Sequence, residues 1–142
     1  MPTNTSTGER PTGVIPHLNV AGGNAAIEFY IKAFGAKELM RVPAQDGKRL
    51  LHAELQINGA LVYLHDDFPE MCGGKATTPK ALGGTSVNLH MNVPNCDEAF
   101  NKAIAAGATS RMPPADMFWG DRYAVVIDPF GHEWAMAHAL KK

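Results

Sequence analysis

The chain has 142 residues, 45% of them hydrophobic and 19% charged, with a formal net charge of −1. That balance gives no electrostatic footprint for DNA, RNA or an anionic membrane, and no apolar run approaches the length that spans a bilayer. The length fits one domain, or two fused halves of about 65 residues that would each bury too little surface to be stable alone.

Residues 1–13 are polar, lack the apolar segment of a secretory signal, and are expected to form a flexible tail. Val14–Val20 is apolar and β-prone, with Pro16 suiting a first or edge strand. Gly22-Gly23-Asn24 starts a helix whose apolar face is Ile27, Tyr30, Ile31 and Phe34, and Gly35 ends it. Strands are expected at Ala36–Val42, Leu50–Ile57 and Ala60–His65, the last two joined by the hairpin signal Asn58-Gly59. Residues 67–84, rich in Gly, Pro, Lys and Thr, read as a linker.

The plan then repeats. His17-Leu-Asn-Val20 is answered by His90-Met-Asn-Val93, and a strand is expected over Thr85–Val93. Asn95 with Glu98 three residues on is a capping box for a helix that buries Phe100, Ala103 and Ile104 and stops at Gly107. A short strand at Ala108–Arg111 is broken by Met112-Pro-Pro-Ala-Asp116. Arg122–Ile127 and Glu133–His138 then form a hairpin across Asp128-Pro-Phe-Gly131. Residues 14–66 and 85–140 are thus two tandem βαβββ modules of one α+β domain. Cys72 and Cys96 show no metal or disulfide spacing and read as free thiols of a reducing cytoplasm, with a nucleophilic Cys96 at a helix start as the alternative.

Several segments together resemble the vicinal oxygen chelate superfamily, which includes glyoxalase I, bleomycin-resistance proteins and extradiol dioxygenases. They are Ala26-Ile-Glu-Phe-Tyr30 with Ala33-Phe-Gly-Ala36, Glu98-Ala-Phe100 with Ala106-Gly-Ala108, and Asp128-Pro-Phe-Gly-His132. His52-Ala-Glu54 and Phe118-Trp-Gly-Asp-Arg122 resemble its glyoxalase-like, PhnB-like branch. The resemblance covers residues 14–140 and implies a cup-shaped, partly open barrel made by two modules, within one chain or across a homodimer. It implies little about chemistry, because one fold hosts many activities.

Metal-dependent members place ligands on the first and last strands of each module. The resemblance maps those positions to Ile15, Tyr63, Asn88 and Ala135, a set that lacks at least two donors. No cofactor is therefore expected. The alternative is a shifted site for zinc, nickel, manganese or iron at His17, His65 and His90, each two residues further along its strand. His52 and Glu54 alternate on one strand face and are the candidate acid–base pair. Tyr63, Asn88, His90, Trp119 and Arg122 are candidate ligand contacts, Trp119 by stacking and Arg122 by a bidentate clamp on an anion, unless Arg122 pairs internally with Asp121. The function expected is small-molecule binding. The alternatives are a lyase, isomerase or dioxygenase using the shifted histidines, a metal-free acid–base catalyst, and a structural or regulatory dimer.

Overall fold

The computed structural model describes residues 10–141, so the first nine residues of the expected tail lie outside it. The chain forms β1 (His17–Val20), α1 (Gly23–Phe34), β2 (Lys37–Pro43), β3 (Leu50–Ile57) and β4 (Ala60–Asp66). The linker holds a single 3₁₀ turn at Pro69–Met71 and a short helix α2 at Pro79–Leu82. After it come β5 (Asn88–Asn92), α3 (Cys96–Ala106), β6 (Thr109–Asp116), β7 (Asp121–Ile127) and β8 (Glu133–Ala139). Sheet A has the order β1-β4-β3-β2 and sheet B the order β5-β8-β7-β6, so the two βαβββ modules share one topology and neither closes into a barrel.

Local chemistry accounts for most boundaries. Asn58 and Gly59 both have positive φ, 51° and 83°, as a two-residue hairpin of the twisted kind requires. Asn95 caps α3 by accepting from the Glu98 amide, and Gly35 closes α1 in the left-handed region. The first strand begins only at His17. Pro16 offers no N–H, although its carbonyl accepts from the Tyr63 amide.

Two expectations on local structure are corrected. The break at Met112–Asp116 is absent, because β6 runs straight through both prolines. It is the edge strand of sheet B, and Pro113 and Pro114 fall in the irregularity between Met112 and Ala115, where neither is paired with a residue of β7. In α1 the buried face is Ala26, Ile27, Phe29, Tyr30 and Ala33, whereas Ile31 is exposed.

Each sheet has one face covered by its own helix. Leu18, Val20, Ala53, Leu55, Val62 and Leu64 of sheet A lie under α1, and Met91, Ala124, Val126, Trp134 and Met136 of sheet B lie under α3. The helices also pack on each other, so both covered faces belong to one hydrophobic core. Tyr30 and Phe34 of α1 stand against Trp134 of β8, with ring centroids 5.4 and 4.7 Å away.

The duplication extends to the hydrogen bonds that join the modules. Asn58, in the β3–β4 turn, donates to the Asn92 carbonyl at the end of β5. His132, in the β7–β8 turn, answers by bonding the Asn19 carbonyl of β1 at 2.9 Å. Within each module the fourth strand ends by capping the helix. The Asp66 carboxylate accepts the Gly22 and Gly23 amides, and His138 Nδ1 accepts the Cys96 amide. A Cβ on Gly23 would stand 2.6 Å from Asp66 Oδ2, so this approach requires glycine.

Candidate functional site

The helix-free faces of the two sheets are where polar side chains collect. On sheet A the strand period of two puts His17 and Asn19 of β1, His52 and Glu54 of β3, and Tyr63 and His65 of β4 on the same side. Parallel pairing sets His17 opposite Tyr63 and Asn19 opposite His65. His17 lies in the middle of the group, its ring centroid 4.8 Å from His65, 5.4 Å from His52 and 5.7 Å from Tyr63. His52 and Tyr63 meet edge-on at 4.9 Å.

Hydrogen bonds fix two of these rings. His52 Nε2 lies 3.0 Å from Glu54 Oε2, and His65 Nδ1 lies 2.7 Å from the Asp66 carbonyl oxygen. An ionised carboxylate and a carbonyl only accept, so each facing nitrogen carries the hydrogen, and in the neutral imidazole His52 Nδ1 and His65 Nε2 are the acceptors. The Glu54 side chain is almost wholly buried, 9% exposed, and the His52 ring bonded to it is more open. Burial, followed by the neighbouring imidazoles of His65 and His52, holds the His17 pKa below its ordinary value. The group is thus a row of imidazoles with one buried carboxylate at its end, a set that can hydrogen-bond a ligand and move a proton.

On sheet B the helix-free face carries Asn88 and His90 of β5 and Tyr123 of β7. His90 stacks on Tyr123 with centroids 6.2 Å apart and bonds the Asn92 side chain. Trp119, in the β6–β7 turn, meets Tyr123 edge-on at 5.8 Å and donates to Asp121. Phe118 beside it is 98% exposed.

The sequence-derived candidates therefore fall into three places. His17, His52, Glu54, Tyr63 and His65 are brought together on sheet A. Asn88, His90 and Trp119 share the face of sheet B, so His90 does not join His17 and His65. Arg122 lies on the helix side of β7, where its guanidinium grips both Asp97 oxygens at the start of α3 and reaches Asp116. Its internal partners are Asp97 and Asp116, while Asp121 is taken by Trp119. Sequence reasoning missed Tyr123, whose parity matches Glu133 and Ala135, and it did not place His52 beside His17. Cys96 is buried, donates to the Met136 carbonyl, and has its thiol pKa pushed up by burial, which opposes a nucleophilic role.

The family's metal register does not fit these residues. Ile15 precedes β1 and lines a mostly apolar groove of about 420 Å³ between the modules, together with Val62, Trp134, Asn88 and His90, and its side chain has no donor. Ala135 has no donor either, which leaves Tyr63 and Asn88 as two weak ligands of the four positions. Among the described residues no three His, Cys, Asp or Glu side chains converge as placed on a point that could hold a metal. No helix among them is long and apolar enough to cross a membrane.

The model of the Glyoxalase/Bleomycin resistance protein/Dioxygenase superfamily matches residues 14–136. An uncharacterized protein of Mycobacterium bovis is 53% identical over 127 residues, covering 89% of this chain and 83% of that one. An uncharacterized protein of Mycobacterium tuberculosis matches at the same identity, with 74% of its length covered. Among solved structures, TioX from Micromonospora superposes with a TM-score of 0.65 at 26% identity, over 92% of this chain and 98% of that one. A glyoxalase-related enzyme from Fulvimarina pelagi gives 0.71 at 22% identity, over 91% and 88%. The PhnB protein of Bacillus cereus gives 0.66 at 15% identity, over 90% and 100%, and these last two show the fold alone. With its two tandem modules and a family match over most of its length, the chain belongs to the glyoxalase/bleomycin resistance protein/dioxygenase superfamily.

Proposed function

We propose that this protein binds a small organic molecule on the helix-free face of sheet A, and that a second copy of the chain covers that face with its own sheet B. The observation that carries the reading is the gathering of His17, His52, Glu54, Tyr63 and His65 on one uncovered face. Four aromatic rings and a buried carboxylate there give apolar area together with a few oriented polar groups, the combination a ligand site needs. The helices pack on each other and leave the opposite face of each sheet without a helix, which supports covering that face with a second chain. Sheet B offers the complement: Trp119, Tyr123 and His90 supply ring faces, and Asn88 supplies an amide. The free Cys72 and Cys96 suit a reducing compartment such as the cytoplasm.

A second reading rests on the 3.0 Å bond between His52 and Glu54. The buried carboxylate orients the imidazole and aims His52 Nδ1 at a bound molecule as a general base. In that case the protein is a metal-free acid–base catalyst on the same face.

A fragment screen read by thermal shift and tryptophan fluorescence tests the binding reading. Aromatic fragments with polar substituents are expected to bind, and Tyr63→Ala and His52→Ala are expected to abolish binding. Fragments that bind both variants as well as the unaltered protein would place the site elsewhere.

A further inference from the structure

We propose that a cavity between α2 and the turn end of sheet B binds a small organic acid, whose carboxylate or phosphonate group replaces Glu133 on Arg111 and is held also by Lys80. This site lies within one chain and is independent of the one on sheet A.

The register of sheet B builds the floor. Asn88 pairs with Glu133, Glu133 with Ile127, and Ile127 with Thr109. Directly opposed residues share a sheet face, so this row lies with Asn88 on the helix-free side. Arg111 joins the row from β6, its Nη1 3.2 Å from Glu133 Oε2. The row stands at the β7–β8 end of the sheet. Ile127 is four residues along β7 from Tyr123, about 13 Å away, so the floor is distinct from the His90–Tyr123–Trp119 group.

The segment between the modules builds the wall. With the β7–β8 turn, α2 and the Gly83-Gly84-Thr85 stretch after it border an open cavity of about 730 Å³. Small-molecule sites span about 300–1,000 Å³. The wall is seated firmly on the turn. Gly131 has φ 95°, and a Cβ there would stand 2.8 Å from Pro79 Cβ. Pro79 is buried, and Thr78 caps α2 by accepting from the Ala81 amide.

The charges select the ligand. Lys80, Arg111, Glu133 and Asp128 line the cavity. Asp128 is buried and already accepts from Tyr30, Trp134 and two turn amides. Two cations therefore stand against one available carboxylate. Arg111 pairs with Glu133 alone, and Lys80 has no ion pair among the described residues. Thr85 Oγ1 accepts the Val87 amide, which leaves its own O–H to donate. A guanidinium, an ammonium and a hydroxyl around one cavity match the oxygens of an anionic group. Ile127, Pro79 and Pro129 offer apolar surface to the rest of the molecule.

The test titrates cyclohexanecarboxylate, cyclohexylphosphonate and neutral cyclohexanecarboxamide into the whole protein, read by calorimetry and by amide NMR. The two acids are expected to bind at one site per chain and to shift the Gly83, Gly84 and Gly131 amides. The carboxamide should bind roughly tenfold more weakly. Arg111→Gln and Lys80→Gln should each weaken acid binding roughly three- to fivefold, as partly exposed ion pairs do, and Glu133→Gln should strengthen it. Circular dichroism verifies that each variant is folded. Equal affinity for acid and carboxamide, unchanged affinity in a folded Arg111→Gln/Lys80→Gln variant, weaker acid binding in Glu133→Gln, or no acid binding at millimolar concentration would overturn the inference. Acid binding should persist in His52→Ala/Tyr63→Ala, where fragment binding on sheet A is lost, so the two proposals fail separately.

Discussion

The Tyr30 hydroxyl donates to the Asp128 carboxylate across 2.5 Å and 98 positions of chain, joining α1 of the first module to the β7–β8 turn of the second. The same Asp128 accepts from Trp134 Nε1 and from the Phe130 and His132 amides, so one buried carboxylate holds the turn, the core tryptophan and the other module. Removing the hydroxyl leaves that charge short of a donor. Tyr30→Phe is expected to cost about 1.5–3 kcal/mol in urea unfolding, the range for hydrogen bonds to charged groups.

Burial and the neighbouring Asp128 hold the Tyr30 pKa well above 10, its ordinary value. The folded protein therefore keeps this proton more tightly than the unfolded chain does. The resulting stability is fully present below about pH 10 and is lost as pH rises from there toward the folded-state pKa. Urea midpoints taken from about pH 8 to 11 should fall above about pH 10 in the unaltered protein, and fall less steeply in Tyr30→Phe. Parallel curves for the two proteins would contradict this assignment.

Arg122 tests the division between helix side and ligand side. Its guanidinium ties β7 to the first turn of α3 through Asp97 and does not reach the polar face. Arg122→Gln should lower the thermal midpoint and leave fragment affinity unchanged. A loss of affinity at unchanged stability would return Arg122 to the site.

Gly23 tests the helix start. A Cβ there meets Asp66 Oδ2 at 2.6 Å and Leu50 Cδ1 at 3.0 Å, both fixed in the core. Overpacking of this kind costs about 1–3 kcal/mol, so Gly23→Ala should be destabilised by that amount in denaturant melts. Little or no loss would mean that α1 can shift away from Asp66.

The fold was largely legible because two signals repeat. Helical spacing at Ile27, Tyr30, Phe100 and Ala103, and turn chemistry at Asn58-Gly59, are local properties that a single sequence carries. The course of β6 was not legible, since whether Pro113 and Pro114 break a strand depends on whether that strand lies at an edge, a fact of the sheet order. The site was legible by parity but not by neighbourhood. His52 and Glu54 share a face on sequence alone, and so do Tyr63 and His65. That His52 lies near His17 follows from the pairing of Ala53 with Leu64 and of His17 with Tyr63, which no local pattern contains. Arg122 shares its parity with Ala124 and Val126, and that apolar company was the available sign that it faces the helix.

The central claim is a site made by sheet A of one chain and sheet B of another, and mixed dimers test it most directly. One chain carries His52→Ala and Tyr63→Ala, the other Trp119→Ala and Tyr123→Ala, and the strongest binding fragment from the screen is the probe. Each variant alone should bind nothing, because every site has one damaged wall. After mixing, the heterodimer should regain binding at one site, half the number in the unaltered dimer. No recovery in a verified heterodimer, or full binding by the Trp119/Tyr123 variant alone, would contradict the account.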